Sequence, residues 1–325
     1  MKRTKTMATL EALLDITEGK HRCAVIEERA PYVAACRLVQ KGILIRPLPR
    51  MFMRASTWES MEKTPRIRWR YAHDTFKELH PQKSLCSFSA ALEYGLWVPT
   101  RRLGTIHVAT PLRANTRISM YLHSHYCPKE EIVEHEGVGA TTLMRTVLDC
   151  SLEGSIPEGL AIADSALRFC GLDLDEYRAY VANHVTGRPG AAKARLVARY
   201  ANGQSENGGE SIARGRIIEL GYMAPTDLQV EFLDEVDGSS TLRTDMYYLL
   251  DDGREIIVEL DGMGKYGNDA SATKAALVDE RQRESHLGVH GIPVMRILFA
   301  RVYDDEYLCN LLDAYGIPRR SEPSA

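Results

Sequence analysis

Two acidic residues lie inside an apolar segment in the C-terminal part of the sequence. Glu259 and Asp261 belong to Glu255-Ile-Ile-Val-Glu-Leu-Asp261, a run that is typical of a β-strand. Because side chains alternate along a strand, both carboxylates project from one face. Like charges on a poorly solvated face repel each other, and a divalent cation or a retained proton relieves that repulsion. The pair therefore indicates a metal site, with purely structural strand acids as the alternative.

Asp245 and Glu210 are two further candidates for the same site. Asp245 lies in an apolar stretch before Asp251-Asp-Gly253, and a hairpin at this turn brings it near Glu259. Glu210 begins a predicted helix, where it can orient a water molecule, complement the helix dipole or pair with Arg214 at i+4. Ligands that are all oxygens favour Mg²⁺ or Mn²⁺ over zinc. The predicted metal ligands are Asp245, Glu259 and Asp261.

The elements that must position these acids follow an α/β order. A Gly/Asn-rich segment at 202–209 is the predicted boundary before them. A helix, a hairpin, a crossover helix and a further strand then form an α/β sandwich. The predicted helices are 210–220, 273–287 and 304–314, and the predicted strands are 227–232, 241–250, 255–261 and 294–300.

The start of the chain has the pattern of a small DNA-binding domain. Helices are predicted at 10–17, 23–29 and 31–41, and Gly42 ends the third. An extended pair at 43–53, broken by Pro47 and Pro49, fits the two strands of a wing. Three helices and a wing form a winged helix-turn-helix, which places its third helix in the major groove. The predicted DNA-facing residues are Tyr32, Arg37, Gln40, Lys41, Arg46 and Arg50; an ordinary wet surface is the alternative.

The chain is too long for one ordinary core and suits several domains. Helices are predicted at 64–80, 84–94, 141–152, 157–169, 174–184 and 191–200, and strands at 105–110 and 118–125. The domain prediction is a winged helix at 1–61, an α+β and helical region at 62–204, a nuclease-like α/β sandwich at 205–318 and a loose tail at 319–325. The predicted fold class is therefore multidomain α/β.

Charge is distributed unevenly although the net charge is only -3. Residues 1–80 contain 16 Lys and Arg against 9 Asp and Glu, whereas residues 205–280 contain 6 against 17. A basic front suits a phosphate backbone, and an acidic block needs cations before nucleic acid can approach. Seven scattered cysteines without a C-x-x-C pair argue against disulfides and a zinc site. No signal peptide or membrane span is apparent, so a cytoplasmic protein is expected.

The spacing of several motifs resembles the endonuclease-like domain related to very-short-patch-repair enzymes, of the PD-(D/E)XK class. The resemblance covers about 205–301 and is carried by Ser205-x4-Glu210-Ser-x2-Arg214, Gln229, Arg243-x-Asp245, Val258-Glu-Leu-Asp-Gly262-x2-Lys-Tyr266, Glu280-Arg-x-Arg283, Leu287-Gly288 and Arg296. It implies that Glu210, Asp245, Glu259 and Asp261 coordinate the metal. Asp261 stands where most members have lysine, and Lys265 from the next turn and a second metal ion are the two candidates to supply that positive charge.

The front resembles the AbiEi-like antitoxins of type IV toxin-antitoxin systems. The resemblance rests on Leu38-Val-Gln-Lys-Gly-Ile-Leu-Ile-Arg46, Ser87-Phe-Ser-Ala-Ala91 with Gly95-Leu-Trp97, and Thr141-Thr-Leu-Met-Arg-Thr-Val-Leu-Asp149. Arg50-Met-Phe52 departs from the glycine that usually precedes an aromatic residue at the wing tip. The resemblance implies DNA, and a cognate toxin protein, as partners.

Two functions from different classes follow from these observations. The first is a DNA-binding, Mg²⁺-dependent phosphodiester hydrolase whose front domain tethers DNA. The second is a non-catalytic transcriptional regulator or antitoxin with a degenerate nuclease domain. A third interpretation treats the acidic patch as a solvated surface.

Overall fold

A computed structural model describes residues 5–62, 64–238, 240–262, 285–286 and 288–320. The chain is a mixed α/β protein with two compact units, Met1–Asp149 and Cys150–Ala325. The boundaries expected after residues 61 and 204 lie inside these units. Lys265 and nearly all of the helix expected at 273–287 lie outside the described residues. No helix in the described part of the chain is long and apolar enough to cross a membrane.

The N-terminal unit begins with a small helix-and-sheet layer. It comprises α1 (Lys5–Gly19), β1 (Ala24–Val25), α2 (Arg29–Gln40), β2 (Leu44–Ile45) and β3 (Met51–Arg54). The sheet order is β1-β3-β2, and Leu10, Leu14, Ala35 and Phe52 form its core. The short helix predicted at 23–29 is wrong, because Ala24 and Val25 pair with Phe52 and Met51 of β3. Pairing with a distant strand overrides local helical spacing. Two helices therefore precede the hairpin instead of three.

The rest of this unit is built on a six-stranded sheet. The elements are α3 (Ala55–Ser60), α4 (Pro65–Leu79), β4 (Ser84–Leu85), α5 (Ser87–Glu93), β5 (Ile106–Thr110), β6 (Arg117–Ile118), β7 (Leu122–Tyr126), β8 (Ile132–His135) and β9 (Val138–Thr141). The sheet order is β6-β7-β5-β4-β9-β8. β4 pairs with its neighbours β5 and β9, so the helix predicted from residue 84 begins only at Ser87.

Four helices follow, of which α6 (Leu143–Glu153) includes the boundary between the units. The others are α7 (Ile156–Phe169), α8 (Leu174–His184) and α9 (Ala191–Tyr200). Ser155 and Glu158 form a capping box that begins α7. The predicted bounds of α8 and α9 are confirmed.

The C-terminal unit ends in a helix-covered sheet. The elements are α10 (Gly208–Glu219), β10 (Asp227–Leu228), β11 (Glu231–Leu233), β12 (Thr241–Arg243), β13 (Met246–Leu249), β14 (Glu255–Asp261), β15 (Val294–Leu298) and α11 (Asp305–Ala314). The sheet order is β10-β13-β14-β15, with β14 antiparallel to β13 and parallel to β15. The core joins Ala213 and Ile217 to Met246, Val258 and Met295. The long strand predicted at 241–250 is thus interrupted, and Asp245 lies at the interruption.

Candidate functional site

The start of α10 is held in place by a buried ion pair with α7. The Arg214 Nη2 donates to Asp164 Oδ2 at 2.6 Å, and both side chains are almost fully buried. The Ser211 hydroxyl donates to the same oxygen at 2.6 Å, while the backbone N–H groups of Asn202 and Gly203 donate to Asp164 Oδ1. Arg214 is therefore the partner of Asp164, and it leaves its neighbour on the helix, Glu210, without the i+4 ion pair that was one alternative.

Glu210 is buried at the first turn of α10, with only 4% of its surface exposed. Asn207 caps the helix by accepting from the N–H groups of Gly209 and Glu210. The Glu210 carboxylate accepts from Glu206 N at 2.8 Å, from Gln229 Nε2 at 2.9 Å and from Asn207 Nδ2. All three donors are neutral. Among the described residues no Lys or Arg forms an ion pair with this carboxylate.

Asp245 and Glu210 line the same cavity, which has a volume of about 380 Å³. Asp245 Oδ2 accepts from Leu260 N at 2.7 Å, so its carboxylate takes the place of a backbone acceptor in the gap between β12 and β13. Burial, and then the charges of Asp245 and Glu206, raise the pKa of Glu210 to about 7. The other lining residues are Glu206, Asn207, Gln229, Thr241, Leu242, Arg243 and Leu260. Arg243 is ion-paired with Glu206.

Glu259 and Asp261 do not line this cavity. By strand alternation they share the sheet face of Ile257, whereas Val258 packs toward α10. Arg296 lies opposite Glu259 in the parallel register and donates to Asp261 Oδ1 at 2.9 Å. The structure thus brings Glu210 and Asp245 together and engages Asp261 with a guanidinium. Lys265 lies outside the described residues.

The oxygen ligands at the cavity fit one common way in which proteins bind Mg²⁺. Mg²⁺ usually binds one or two carboxylates, keeps several waters and takes its remaining ligands from substrate phosphates. Glu210 and Asp245 supply two carboxylates at one cavity, and burial beside this second acid disfavours the charged form of Glu210. Among the described residues, however, the four predicted acids do not form a group of three or more with ligand atoms close together. In the described part of the chain, these four acids therefore do not form a closed metal site.

The predicted DNA-facing residues lie on α2 and the following hairpin. Arg37, Gln40, Lys41, Arg46 and Arg50 are exposed, and Tyr32 is half-buried. Arg46 Nη1 donates to the Tyr32 hydroxyl at 3.2 Å, so one residue of the hairpin contacts one residue of α2. None of the four basic residues forms an ion pair with an acid that the structure describes. In the same layer, Arg22 and Arg54 do have acidic partners.

Sequence reasoning missed a group of histidines in the N-terminal unit. The described residues contain one group of His, Cys, Asp or Glu side chains close enough together to hold a metal ion, and its histidines are His107, His123 and His125. The available signal was His123-Ser-His125 on a predicted strand, because residues i and i+2 of a strand share a face. The spacing of the cysteines gave no indication of this histidine cluster.

No protein-family model matches this chain, and a search of curated proteins finds no match either. The family resemblances of the sequence therefore stay predictions.

Proposed function

We propose that the C-terminal unit hydrolyses phosphodiester bonds of DNA with the help of Mg²⁺, which Glu210 and Asp245 would hold. The observation that carries this proposal is the shared cavity, in which a buried glutamate with a pKa near 7 faces a second acid. An acid of this kind is uncommon outside functional sites, because burial beside a like charge costs stability. The parallel β14–β15 pair beside a hairpin supports the proposal, since this order was expected of a nuclease-like sandwich.

Each residue of the cavity has a chemical role in this proposal. Bound Mg²⁺ supplies positive charge that favours ionisation of water and offsets charge developing on the phosphodiester. Glu210 would hold the ion in its ionised form, and its carboxylate can also orient the attacking water by accepting a hydrogen bond from it. Gln229 and Asn207 hold its two oxygens in place. Arg243 lies at the cavity, where a guanidinium can orient a phosphate.

Cleavage of supercoiled plasmid in Mg²⁺ tests this proposal. We expect Glu210→Gln and Asp245→Asn to lower the cleavage rate by at least about 100-fold, as loss of a group that acts on the reacting atoms does. Asp252→Asn, which changes an exposed turn acid, is the matched control and should cleave like the wild type. Equal rates in all four proteins would overturn the proposal.

Magnesium binding is a second readout that does not depend on turnover. Mg²⁺ should raise the melting temperature of the wild type and of Asp252→Asn, and it should leave Asp245→Asn unchanged, because binding to the folded state alone stabilises it. The role of Glu259 as a ligand stays a prediction, and Glu259→Ala belongs in both assays. If Glu259→Ala behaves like Asp245→Asn, the ligand set extends to the other face of β14.

DNA binding by the N-terminal unit is the second part of the proposal. Four exposed basic residues without a described acidic partner support it. Replacing Arg37 and Lys41 by alanine in the full chain should flatten the plot of log affinity against log salt by about two, one for each phosphate contact. Arg22→Ala removes an arginine that is already paired with Glu78 and should leave the slope unchanged. A slope equal to that of the wild type in the double variant would contradict this assignment.

A non-catalytic regulator or antitoxin is the competing function, and the contact between Arg296 and Asp261 favours it. In that function the C-terminal unit would meet a partner such as a cognate toxin. Retained salt-dependent DNA binding without any Mg²⁺-dependent cleavage would select this alternative.

A further inference from the structure

Three histidines of the N-terminal unit are brought together by two neighbouring strands. β5 and β7 are parallel, with His107 directly opposite His123 and Ala109 opposite His125. Residues that face each other across a sheet share a face, as do residues i and i+2 of one strand. The register therefore places all three imidazoles on one side of the sheet.

The distances between the rings are those of a ligand cluster. His107 Nδ1 lies 2.9 Å from His125 Nε2, and the ligand nitrogens of all three residues lie within 4.8 Å of one another. The ring of His107 stacks on His125 and meets His123 edge-on, with centroids 5.1 Å apart in both pairs. Two nitrogens on one tetrahedral zinc ion, at about 2.0–2.1 Å each, are about 3.4 Å apart. Small side-chain rotations connect the two arrangements.

The cluster is buried at one end and half-buried at the other. His107 is 2% exposed, and its backbone N–H donates to the Ser89 hydroxyl at 2.8 Å. Phe88 packs edge-on against its ring. His123 and His125 are half-buried, so an ion from solution can reach them. One buried, fixed ligand beside two accessible ligands is a preorganised arrangement for binding.

The chemistry of the donors selects the ion. Neutral imidazole nitrogens suit Zn²⁺, Cu²⁺, Ni²⁺ and Co²⁺, whereas Mg²⁺ prefers oxygen. A metal ion binds an unprotonated imidazole nitrogen, and the deep burial of His107 disfavours the charged form of its ring. A metal ion would replace the proton between His107 and His125, and that proton would move to the other nitrogen of the ring that carried it.

We infer that His107, His123 and His125 form a binding site for one divalent transition-metal ion of the zinc class. This site is independent of the proposed Mg²⁺ chemistry, since its ligands are nitrogens and it contains neither Glu210 nor Asp245.

Titration of the metal-stripped full chain with Co²⁺ tests the inference. We expect one Co²⁺ per chain with the strong visible absorption of a low-coordinate site, and displacement of that signal by one equivalent of Zn²⁺. His123→Ala, His125→Ala and the double variant should lose this binding. His184→Ala, which removes an exposed histidine of the other unit, and Glu210→Gln should keep it.

Loss of binding in the alanine variants could also come from misfolding. A variant that keeps a metal ligand at residue 125 separates the two causes. His125→Cys should still bind one Co²⁺ and should add a sulfur-to-cobalt charge-transfer band, which only direct coordination at residue 125 produces. Absence of stoichiometric binding by the wild type would overturn the inference. Unchanged binding by the double alanine variant, or binding to His125→Cys without the new band, would overturn it as well.

Discussion

Asp164 and Glu210 are both buried carboxylates of the C-terminal unit, yet their surroundings differ in one decisive way. Asp164 accepts from the Arg214 guanidinium, from a hydroxyl and from two backbone N–H groups. Among the described residues, Glu210 accepts only from neutral donors, and it faces a second acid, Asp245. Asp164 is thus compensated and stabilises the junction of α7 and α10. Burial and the neighbouring acid disfavour the charged form of Glu210, so binding of a cation or a proton to its carboxylate is favoured.

Of the substitutions that test this comparison, Asp164→Asn should change the free energy of unfolding most. Asp164→Asn leaves Arg214 buried without a counter-charge, so we expect a loss of about 3–5 kcal/mol in the free energy of unfolding. Urea denaturation measures it. A double-mutant cycle with Arg214→Met should show that the second substitution costs much less once Asp164 is neutral. A loss below about 1 kcal/mol would mean that the pair does not hold α10.

At high pH, Glu210→Gln should raise the free energy of unfolding, whereas Asp164→Asn lowers it. The folded-state pKa of Glu210, about 7, lies above its ordinary value of 4.5. Its contribution to stability is therefore fully present below about pH 4.5 and is lost as the pH rises through 7. Relative to the wild type, Glu210→Gln should gain on the order of 3 kcal/mol between pH 4.5 and pH 8. Urea denaturation at several pH values measures this gain.

An exposed glutamate provides the control for that pH series. Glu231→Gln, on β11, should follow the wild type at every pH. If Glu210→Gln also follows the wild type, the pKa of Glu210 is not raised. The cavity then lacks the buried acid of raised pKa on which the proposed function depends.

Asp261→Asn should have the smallest effect. Asp261 is paired with Arg296, but their side chains are 34% and 23% exposed, and ion pairs of this kind contribute about 1 kcal/mol or less. We expect the free energy of unfolding to fall by no more than that, with plasmid cleavage retained. Loss of cleavage on this substitution would return Asp261 to the site and place the chemistry on the other face of β14.

Most of the regular elements could be predicted from the sequence because their signals are local. The bounds of α8, α9 and β14 follow from hydrophobic periodicity and from the residues that end each element. The short strands β1 and β4 could not be predicted this way. Each has only two residues, and its pairing with a distant strand, which the local pattern does not contain, decides its conformation.

The sequence by itself determined which residue types were available: acids inside apolar segments, a basic front and a His-x-His strand. It also determined that Glu259 and Asp261 share a face, since that depends only on the period of a strand. Only the tertiary structure decided which charges compensate each other. Arg214 turned to Asp164 and Arg296 to Asp261, which left Glu210 facing Asp245. Such choices depend on elements far apart in the chain, and a pKa is set by distance and burial instead of by order along the sequence.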